Sequence, residues 1–229
     1  MSQNLLKRLN TSIILLSLLI FINFSHQYIF LLSILLIGLI ICLEANNLFS
    51  KLLTDKYSKN NSPTNKFNIK FIMLNIITFG YVFFIFCNLS YEIYKLEKPI
   101  FFLYLISICF FTDIGGYVFG KIIGGKKLSK ISPNKTISGT VGSFIFSIIP
   151  LIVVLNFNDL DFEFNLINIV FCFLISVISQ LGDLFISFIK RKAKIKDTGK
   201  LLPGHGGVLD RFDGIIFAIP FSYFLLKLF

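Results

Sequence analysis

The chain has 229 residues, 55% of them hydrophobic, with 29 phenylalanines, no tryptophan and a mean hydropathy of +0.80. That composition excludes an ordinary soluble domain, and the apolar residues fall in long blocks rather than at amphipathic spacing, the pattern of transmembrane helices. A formal net charge of +10 invites a nucleic-acid reading, but the bases are gathered between the apolar blocks, where they signal topology instead.

In chain order the apolar blocks are 11–24, 28–44, 68–90, 98–119, 138–156, 165–189 and 214–229. The expected fold class is therefore all-α, a polytopic integral membrane helical bundle of about seven transmembrane helices, in a range of about six to nine. The first and last blocks are short for a bilayer that needs about 20 residues. No small-x-small cleavage site precedes the second block, so the first is expected to be kept rather than removed as a leader. If the amino terminus is cytoplasmic, segments 1–10, 45–67, 120–137 and 190–213, together with Lys70, hold nineteen of the twenty-two Lys and Arg residues. The opposite segments are 25–27, 91–97 and 157–164, the last carrying Asp159, Asp161 and Glu163 with no base. That alternation is the positive-inside bias, and it predicts a cytoplasmic amino terminus. Without tryptophan, interfacial anchoring falls to tyrosines such as Tyr28, Tyr57, Tyr81, Tyr91 and Tyr94. The absence of a transit peptide favours a bacterial inner (plasma) membrane.

Between the blocks, 51–67 (KLLTDKYSKNNSPTNKF) reads as a polar connector broken by Pro63. Cys42, Cys87, Cys109 and Cys172 lie singly inside apolar blocks and read as packing or lipid-facing residues rather than ligands or disulfides. No internal repeat is present. Unusual residues become dense only after position 110, so 1–100 is expected to be a hydrophobic helical scaffold. Residues 101–229 are expected to be the catalytic membrane domain, with cytoplasmic loops 120–137 and 190–213.

Asp113 ends an apolar run in FFTDIGGYVFGKIIGGKK. An ionisable group at that depth is expensive and marks a functional site, the plainer alternative being a structural pair with Lys121 or Lys126. Gly115 and Gly116 allow close backbone approach to another helix or to a ligand. Gly120–Lys127 nearly spells a phosphate loop but ends on Lys127 where Ser or Thr is needed, with no strand leading in, so a P-loop NTPase is rejected. What remains is a basic turn followed by Ser132, Pro133, Asn134, Lys135 and Thr136, residues suited to phosphate contacts.

Asp183, in ISVISQLGDLFISFIKR, lies inside a helix-length apolar segment, with Ser179 four residues back and Ser187 four ahead on the same helical face. A carboxylate between two hydroxyls resembles half of a cation site; the alternative is an ion pair with Lys190 or Arg191. The segment from Ser187 to Asp213 (SFIKRKAKIKDTGKLLPGHGGVLDRFD) packs seven basic residues, three aspartates and a histidine between two hydrophobic stretches. Clustered bases hold phosphate oxygens, and carboxylates among them are tolerated when a divalent cation sits between. Pro203-Gly204-His205-Gly206-Gly207 predicts an exposed turn with free N–H groups for phosphates. Asp210, Arg211 and Asp213 open the last helix, where acids also suit the positive dipole end. With His26 the only other histidine, a multi-histidine zinc site is excluded, and an oxygen-ligand site of Mg²⁺ type fits better.

Ser187-x-Ile189-Lys190-Arg191, Lys196-Asp197-x-Gly199 and Leu202-Pro203-x-His205-Gly206-Gly207-Val208-x-Asp210-Arg211-Phe212-Asp213 together resemble the signature of the phosphatidate cytidylyltransferases (CDP-diacylglycerol synthases). The stretch from Asp113 to Gly142, with Ile131-Ser132-Pro133-Asn134-Lys135-Thr136, is similar to that family's second shared region, and so is Ser179-Gln180-x-Gly182-Asp183. The resemblance covers roughly the last 120 residues. Where the family commonly has Lys-Thr-Trp-Glu-Gly, this chain has Lys135-Thr136-Ile137-Ser138-Gly139, so no acidic role passes to position 138.

The resemblance implies transfer of a cytidylyl group from CTP to phosphatidic acid, giving CDP-diacylglycerol and pyrophosphate for phospholipid synthesis at the cytoplasmic face. Under it, Mg²⁺ would be held by Asp183 and Asp210 with Asp213 beside them, with room for an assisting monovalent cation. Asp183, Asp210, Lys196 and Arg211 would be catalytic. Ser132, Lys135, Lys190, Arg191, His205, Gly206, Gly207 and Asp113 would contact substrates. The expected partners are CTP, phosphatidic acid and the bilayer, with no nucleic acid, and a homodimer is allowed. A CDP-alcohol phosphotransferase is set aside because its Asp-Gly-x-x-Ala-Arg run is absent. A transporter should show polar breaks at mid-membrane rather than at one edge, and a CTP-dependent kinase of lipid alcohols is the nearer rival.

Overall fold

A computed structural model describes residues 3–58, 64–96, 99–128, 132, 135–156, 163–204 and 206–228. Among them there is no strand; the helices are α1 (Gln3–Asn23), α2 (Gln27–Ser58), α3 (Thr64–Gly80), a π-helical segment (Tyr81–Cys87), α4 (Asn88–Leu96), α5 (Pro99–Ile122), α6 (Ile137–Phe146), α7 (Ile149–Val154), α8 (Leu166–Lys192), α9 (Leu209–Phe212) and α10 (Ile215–Leu226). The all-helical class expected from the sequence is what forms, and over their described residues all seven apolar blocks are largely helix, the fifth broken at Ser147 and Ile148.

Among the described residues five stretches are long and apolar enough to cross a membrane: Gln27–Thr54, Ile69–Leu96, Pro99–Ile122, Ile137–Val154 and Leu166–Lys192. The expectation of seven is not met on length. The first block is helical but apolar only over Thr11–Asn23, and α10 has 12 residues. At about 1.5 Å per residue such helices reach about 20 Å, short of a hydrocarbon core of ~30 Å. The spanning helices carry large apolar side chains outward, among them Leu32, Leu36, Ile72, Ile76, Phe84, Ile152 and Phe173. Lipid, rather than water, is the solvent that tolerates such a surface.

The chain folds as two units, Met1–Tyr91 with Phe188–Phe212, and Glu92–Ser187 with Asp213–Phe229. In the first unit α2 is the core helix. Phe30, Ile34, Ile41, Ala45, Leu48 and Leu53 are buried along it at helical spacing. Gly38 meets the π-helical segment so closely that an added Cβ would lie 2.7 Å from Cys87 Sγ. The Cys87 thiol donates to the Ile34 carbonyl (3.5 Å). The wider π-helical turn buries Val82, Phe86 and Cys87 on that contact. The helix does not stop at Glu44, as the hydropathy pattern implied, but runs on to Ser58 through residues read as a connector. Leu53 is buried there, and the Ser50 and Thr54 hydroxyls donate back to the carbonyls of Asn47 and Ser50 (2.8 and 2.9 Å), so the polar residues are satisfied within the helix.

In the second unit α5 and α6 pack backbone against backbone. A Cβ on Gly139 would sit 2.7 Å from Gly116 O, and one on Gly142 2.7 Å from Gly115 O. Gly115 and Gly116 therefore serve a helix contact, one of the two uses their sequence allowed. Behind them Tyr104 stacks on Phe171 (6.5 Å) and its hydroxyl shares a hydrogen bond with Cys172 Sγ (3.1 Å), while Thr112 donates to Ser176 (3.0 Å). All four cysteines are free thiols, three of them buried, in keeping with packing roles.

Candidate active site

In the second unit, α5 ends in a turn with Gly124 at φ +65° and Gly125 at φ +103°, conformations that only glycine adopts cheaply. The chain then folds back. Leu128 N–H donates to Lys135 O (2.8 Å), Ile137 N–H to Lys126 O (3.0 Å), and Lys127 bridges Thr136. Thr136 caps α6 by accepting from Gly139 N–H (3.1 Å), so its hydroxyl is spent on the helix rather than held for phosphate. The Ser138 hydroxyl donates to Gly124 O, closing the turn. Ser132 accepts Lys135 N–H through its carbonyl (3.1 Å). Pro133 and Asn134 lie outside the described residues.

This folded-back turn delivers Lys135 to Asp183 on α8, and the two form an ion pair. Asp183 also accepts from Ser187 Oγ (3.2 Å), the hydroxyl one turn ahead that the helical spacing picked out. Ser179, its counterpart one turn back, bonds with Cys109 instead, and Gly214 packs beneath it, where a Cβ would lie 2.7 Å from Ser179 O. The Asp213 carboxyl is within hydrogen-bonding reach of Asp183. The site here is thus two carboxylates, one hydroxyl and one ammonium at the polar end of an apolar helix. Asp113 is exposed on α5, and Lys121 Nζ lies over the Tyr117 ring (5.7 Å).

In the first unit, α8 ends through Lys194, a non-glycine residue at φ +55°, with Ile195 N–H returning to Lys190 O (3.0 Å). Lys190 does not pair with Asp183, as one reading of the sequence had it; its ammonium donates to Asp210 Oδ1 at 2.8 Å, with only 10% and 6% of the two side chains exposed. Asp210 Oδ2 accepts Thr198 N–H (2.8 Å) and Gly207 N–H (2.9 Å). Burial alone would push this carboxyl up, but Lys190 and those two N–H groups outweigh it and hold Asp210 below the usual carboxylate range.

The glycine-rich turn differs from its expected form. Gly204 (φ +77°) and Gly206 (φ +86°) do make a tight turn, closed by the pairing of Leu202 with Gly206. Yet the N–H groups of Gly206 and Gly207, and of the two residues that follow, are already bonded. Gly206 donates to Leu202 O (3.1 Å), Gly207 to Asp210, and Val208 and Leu209 to Glu44 (3.0 and 2.8 Å). An anion-binding turn flanked by its own carboxylates takes those first. What it presents outward is basic: Arg191, Lys196, Lys200 and Arg211 are all exposed. His205 lies outside the described residues. Sequence reasoning missed Glu44 and Thr198, although Glu44 carried the same signal as Asp113 and Asp183, an acid inside an apolar helix.

An all-oxygen set with an ammonium beside it suits phosphates and a hard cation, and the exposed bases of the first unit suit phosphates in their own right. The sequence model of the cytidylyltransferase family matches residues 47–229. The chain belongs to that family. Similar proteins include the phosphatidate cytidylyltransferases of Staphylococcus haemolyticus (46% identical over 125 residues, 54% of this chain and 48% of the relative) and Staphylococcus saprophyticus (43% over 125 residues, 54% and 48%). That of Bacillus subtilis is 42% identical over 127 residues, 55% of this chain and 47% of the relative. The chain spans about half the length of the curated relatives it matches. The family named by the resemblance in the sequence is the one the comparisons return.

Among the described residues no three acidic, histidine or cysteine side chains gather as a ready-made metal cage. The Asp183–Asp213 pair with Ser187 nonetheless fits Mg²⁺, which keeps several waters and needs only one or two carboxylates besides substrate phosphates.

Proposed function

We propose that the protein transfers the cytidylyl group of CTP to phosphatidic acid, releasing pyrophosphate and forming CDP-diacylglycerol. The observation that carries this reading is the meeting of Lys135, Asp183 and Asp213 at the end of a membrane-length helix in a chain of the cytidylyltransferase family. An oxygen of the lipid phosphate attacks the α-phosphorus; the bond from that phosphorus to the oxygen leading to the β-phosphate breaks, and pyrophosphate leaves with the electron pair. Phosphatidate is ionised at neutral pH, so no strong general base is needed, and the barrier is lowered by positioning and charge.

Asp183 and Asp213 would hold a divalent cation, which when bound screens the phosphates and stabilises charge on the leaving group. Lys135 turns its ammonium toward the same point and is suited to a phosphate oxygen. Arg191 at the end of α8, Lys196 on the loop that follows and Arg211 on α9, all exposed, are suited to the triphosphate, while Lys190 faces inward and supports that loop through Asp210. Asp210, the remaining carboxylate of the expected set, works first as an acceptor for Lys190, Thr198 and Gly207; the cation requirement of its variant decides whether it also holds metal. The charge bias of the loops supports a cytoplasmic amino terminus and a site on the cytoplasmic face of a bacterial inner membrane.

The test is purified protein in mixed micelles with CTP labelled at the α- or the γ-phosphate, offered phosphatidic acid or diacylglycerol, with and without Mg²⁺. The α-label should enter a lipid only with phosphatidic acid and Mg²⁺. Entry of the γ-label into lipid from diacylglycerol would establish the lipid-alcohol kinase instead.

A further inference from the structure

A second carboxylate inside the bundle takes no part in that chemistry. Glu44 stands within Gln27–Thr54, a helix apolar enough to cross a membrane, and is 7% exposed. A carboxylate at such depth is costly unless its oxygens are satisfied. They are satisfied by residues more than 150 positions away: Oε1 accepts Val208 N–H (3.0 Å), and Oε2 accepts Leu209 N–H (2.8 Å) and the Thr198 hydroxyl (2.9 Å). The loop is shaped to admit it. A Cβ on Gly199 would lie 2.9 Å, and one on Gly207 2.7 Å, from Glu44 Cδ, so any other residue at either position collides with the carboxylate.

The arrangement is an anion bound in a backbone nest, with the anion supplied by the chain itself. Gly207, Val208 and Leu209 spend three consecutive N–H groups on Asp210 and Glu44, and Thr198 spends its N–H on Asp210 and its hydroxyl on Glu44. The two carboxylates thereby share one turn, and the second of them fixes Lys190. Glu44 precedes residue 47, where the family match begins.

We propose that Glu44 is a positioning residue: it locks the 194–209 loop onto α2 and so sets Asp210, Lys190 and the exposed bases around them. Its consequence for turnover rests on the cytidylyl-transfer reading; the locking itself does not.

The test compares Glu44→Gln, Glu44→Asp and Thr198→Val with the wild-type protein in detergent micelles. Trypsin reads the loop, which carries Lys194, Lys196 and Lys200. Glu44→Gln keeps one oxygen and puts an amide NH₂ against the donor on the other, and cleavage in the loop should rise about ten-fold, since losing the charged acceptor of a buried N–H is worth about one decade. Helical melting by circular dichroism should stay near wild type, and the KM for CTP should rise. Glu44→Asp keeps both oxygens and should restore part of the protection. Thr198→Val removes one donor and leaves the carboxylate, giving about a three-fold rise. Wild-type cleavage rates in Glu44→Gln overturn the proposal. If that variant does not fold, wild-type cleavage in Thr198→Val overturns it equally. A wild-type protein that transfers no cytidylyl group defeats the proposed function alone, because the protease result still decides Glu44.

Discussion

The Lys135–Asp183 pair is open to a double-mutant cycle. Lys135→Met leaves Asp183 facing Asp213 with only Ser187 to help, and Asp183→Asn leaves an ammonium without its closest anion. Removing one partner from a fully buried pair costs about 3–5 kcal/mol. These side chains are 27% and 25% exposed, so water recovers part of that, and about 2 kcal/mol for each single variant is the reasoned value. The two costs should be unequal. Lys135→Met also sets two carboxylates against each other, whereas Asp183→Asn relieves that repulsion, so the lysine variant should be the worse. The double variant orphans neither charge and should cost about as much as one single, a coupling of about 2 kcal/mol. The assay is reversible unfolding of the four proteins in one detergent, followed by tryptophan-free far-ultraviolet circular dichroism. Turnover is measured beside it. Both singles and the double should be inactive, so that the double recovers stability without recovering chemistry. Additivity within about 0.5 kcal/mol would remove the ion pair from the reasoning, and an active double variant would remove Asp183 from the chemistry.

Asp210→Asn should release the loop and abolish turnover, because Lys190 then loses its anion and the new NH₂ is set either against Lys190 or against both Thr198 and Gly207, which share one oxygen. A raised Mg²⁺ requirement in residual activity makes Asp210 a cation ligand, while an unchanged one confines it to the loop. Since Asp210 is held below the ordinary carboxylate range, its contribution is complete above about pH 3.9, the unfolded value, and is lost as pH falls through the lower folded value. Amide protection at Thr198 and Gly207, taken relative to the intrinsic exchange rate at each pH, should therefore be flat from near neutrality to about pH 5 and should fall only below about pH 4; a loss of protection already near pH 6 would contradict the assignment. Gly142→Ala should lower stability by about 1–3 kcal/mol through overpacking against Phe119 and the Gly115 carbonyl, read as a lower denaturation midpoint with an unchanged slope. Thr136→Ala should cost about 1 kcal/mol of the α6 cap, visible in the same titration.

The helices were legible because lipid selects for composition: the apolar blocks are largely helix, since a helix satisfies its whole backbone within one segment in hydrocarbon. Helix ends were less legible. Hydropathy falls at Glu44, but backbone hydrogen bonding does not, and α2 continues to Ser58 because its later polar residues bond to their own carbonyls. Asp183 could be read from its spacing to Ser187, yet its cation partner could not. Lys190 is nearer in sequence, but the C-terminal turn through Lys194 directs it inward to Asp210, while the glycines at 124 and 125 bring Lys135 round. The glycine-rich turn was legible as an anion site and misread as to its anion. Its N–H groups are a fixed local property, encoded by Gly204, Gly206 and Gly207. The carboxylate that reaches Val208 and Leu209 comes from a residue 164 positions earlier in the chain, a pairing no local pattern encodes. N–H groups already bonded to the chain's own carboxylates are not available to a phosphate, so under the cytidylyl-transfer proposal the nucleotide would be held by exposed basic side chains. In that proposed arrangement, Glu44 and Asp210 hold the backbone still while Arg191, Lys196 and Arg211 would meet the ligand; Gly199 and Gly207 are required for the space they leave to Glu44, and Gly204 and Gly206 for their φ angles.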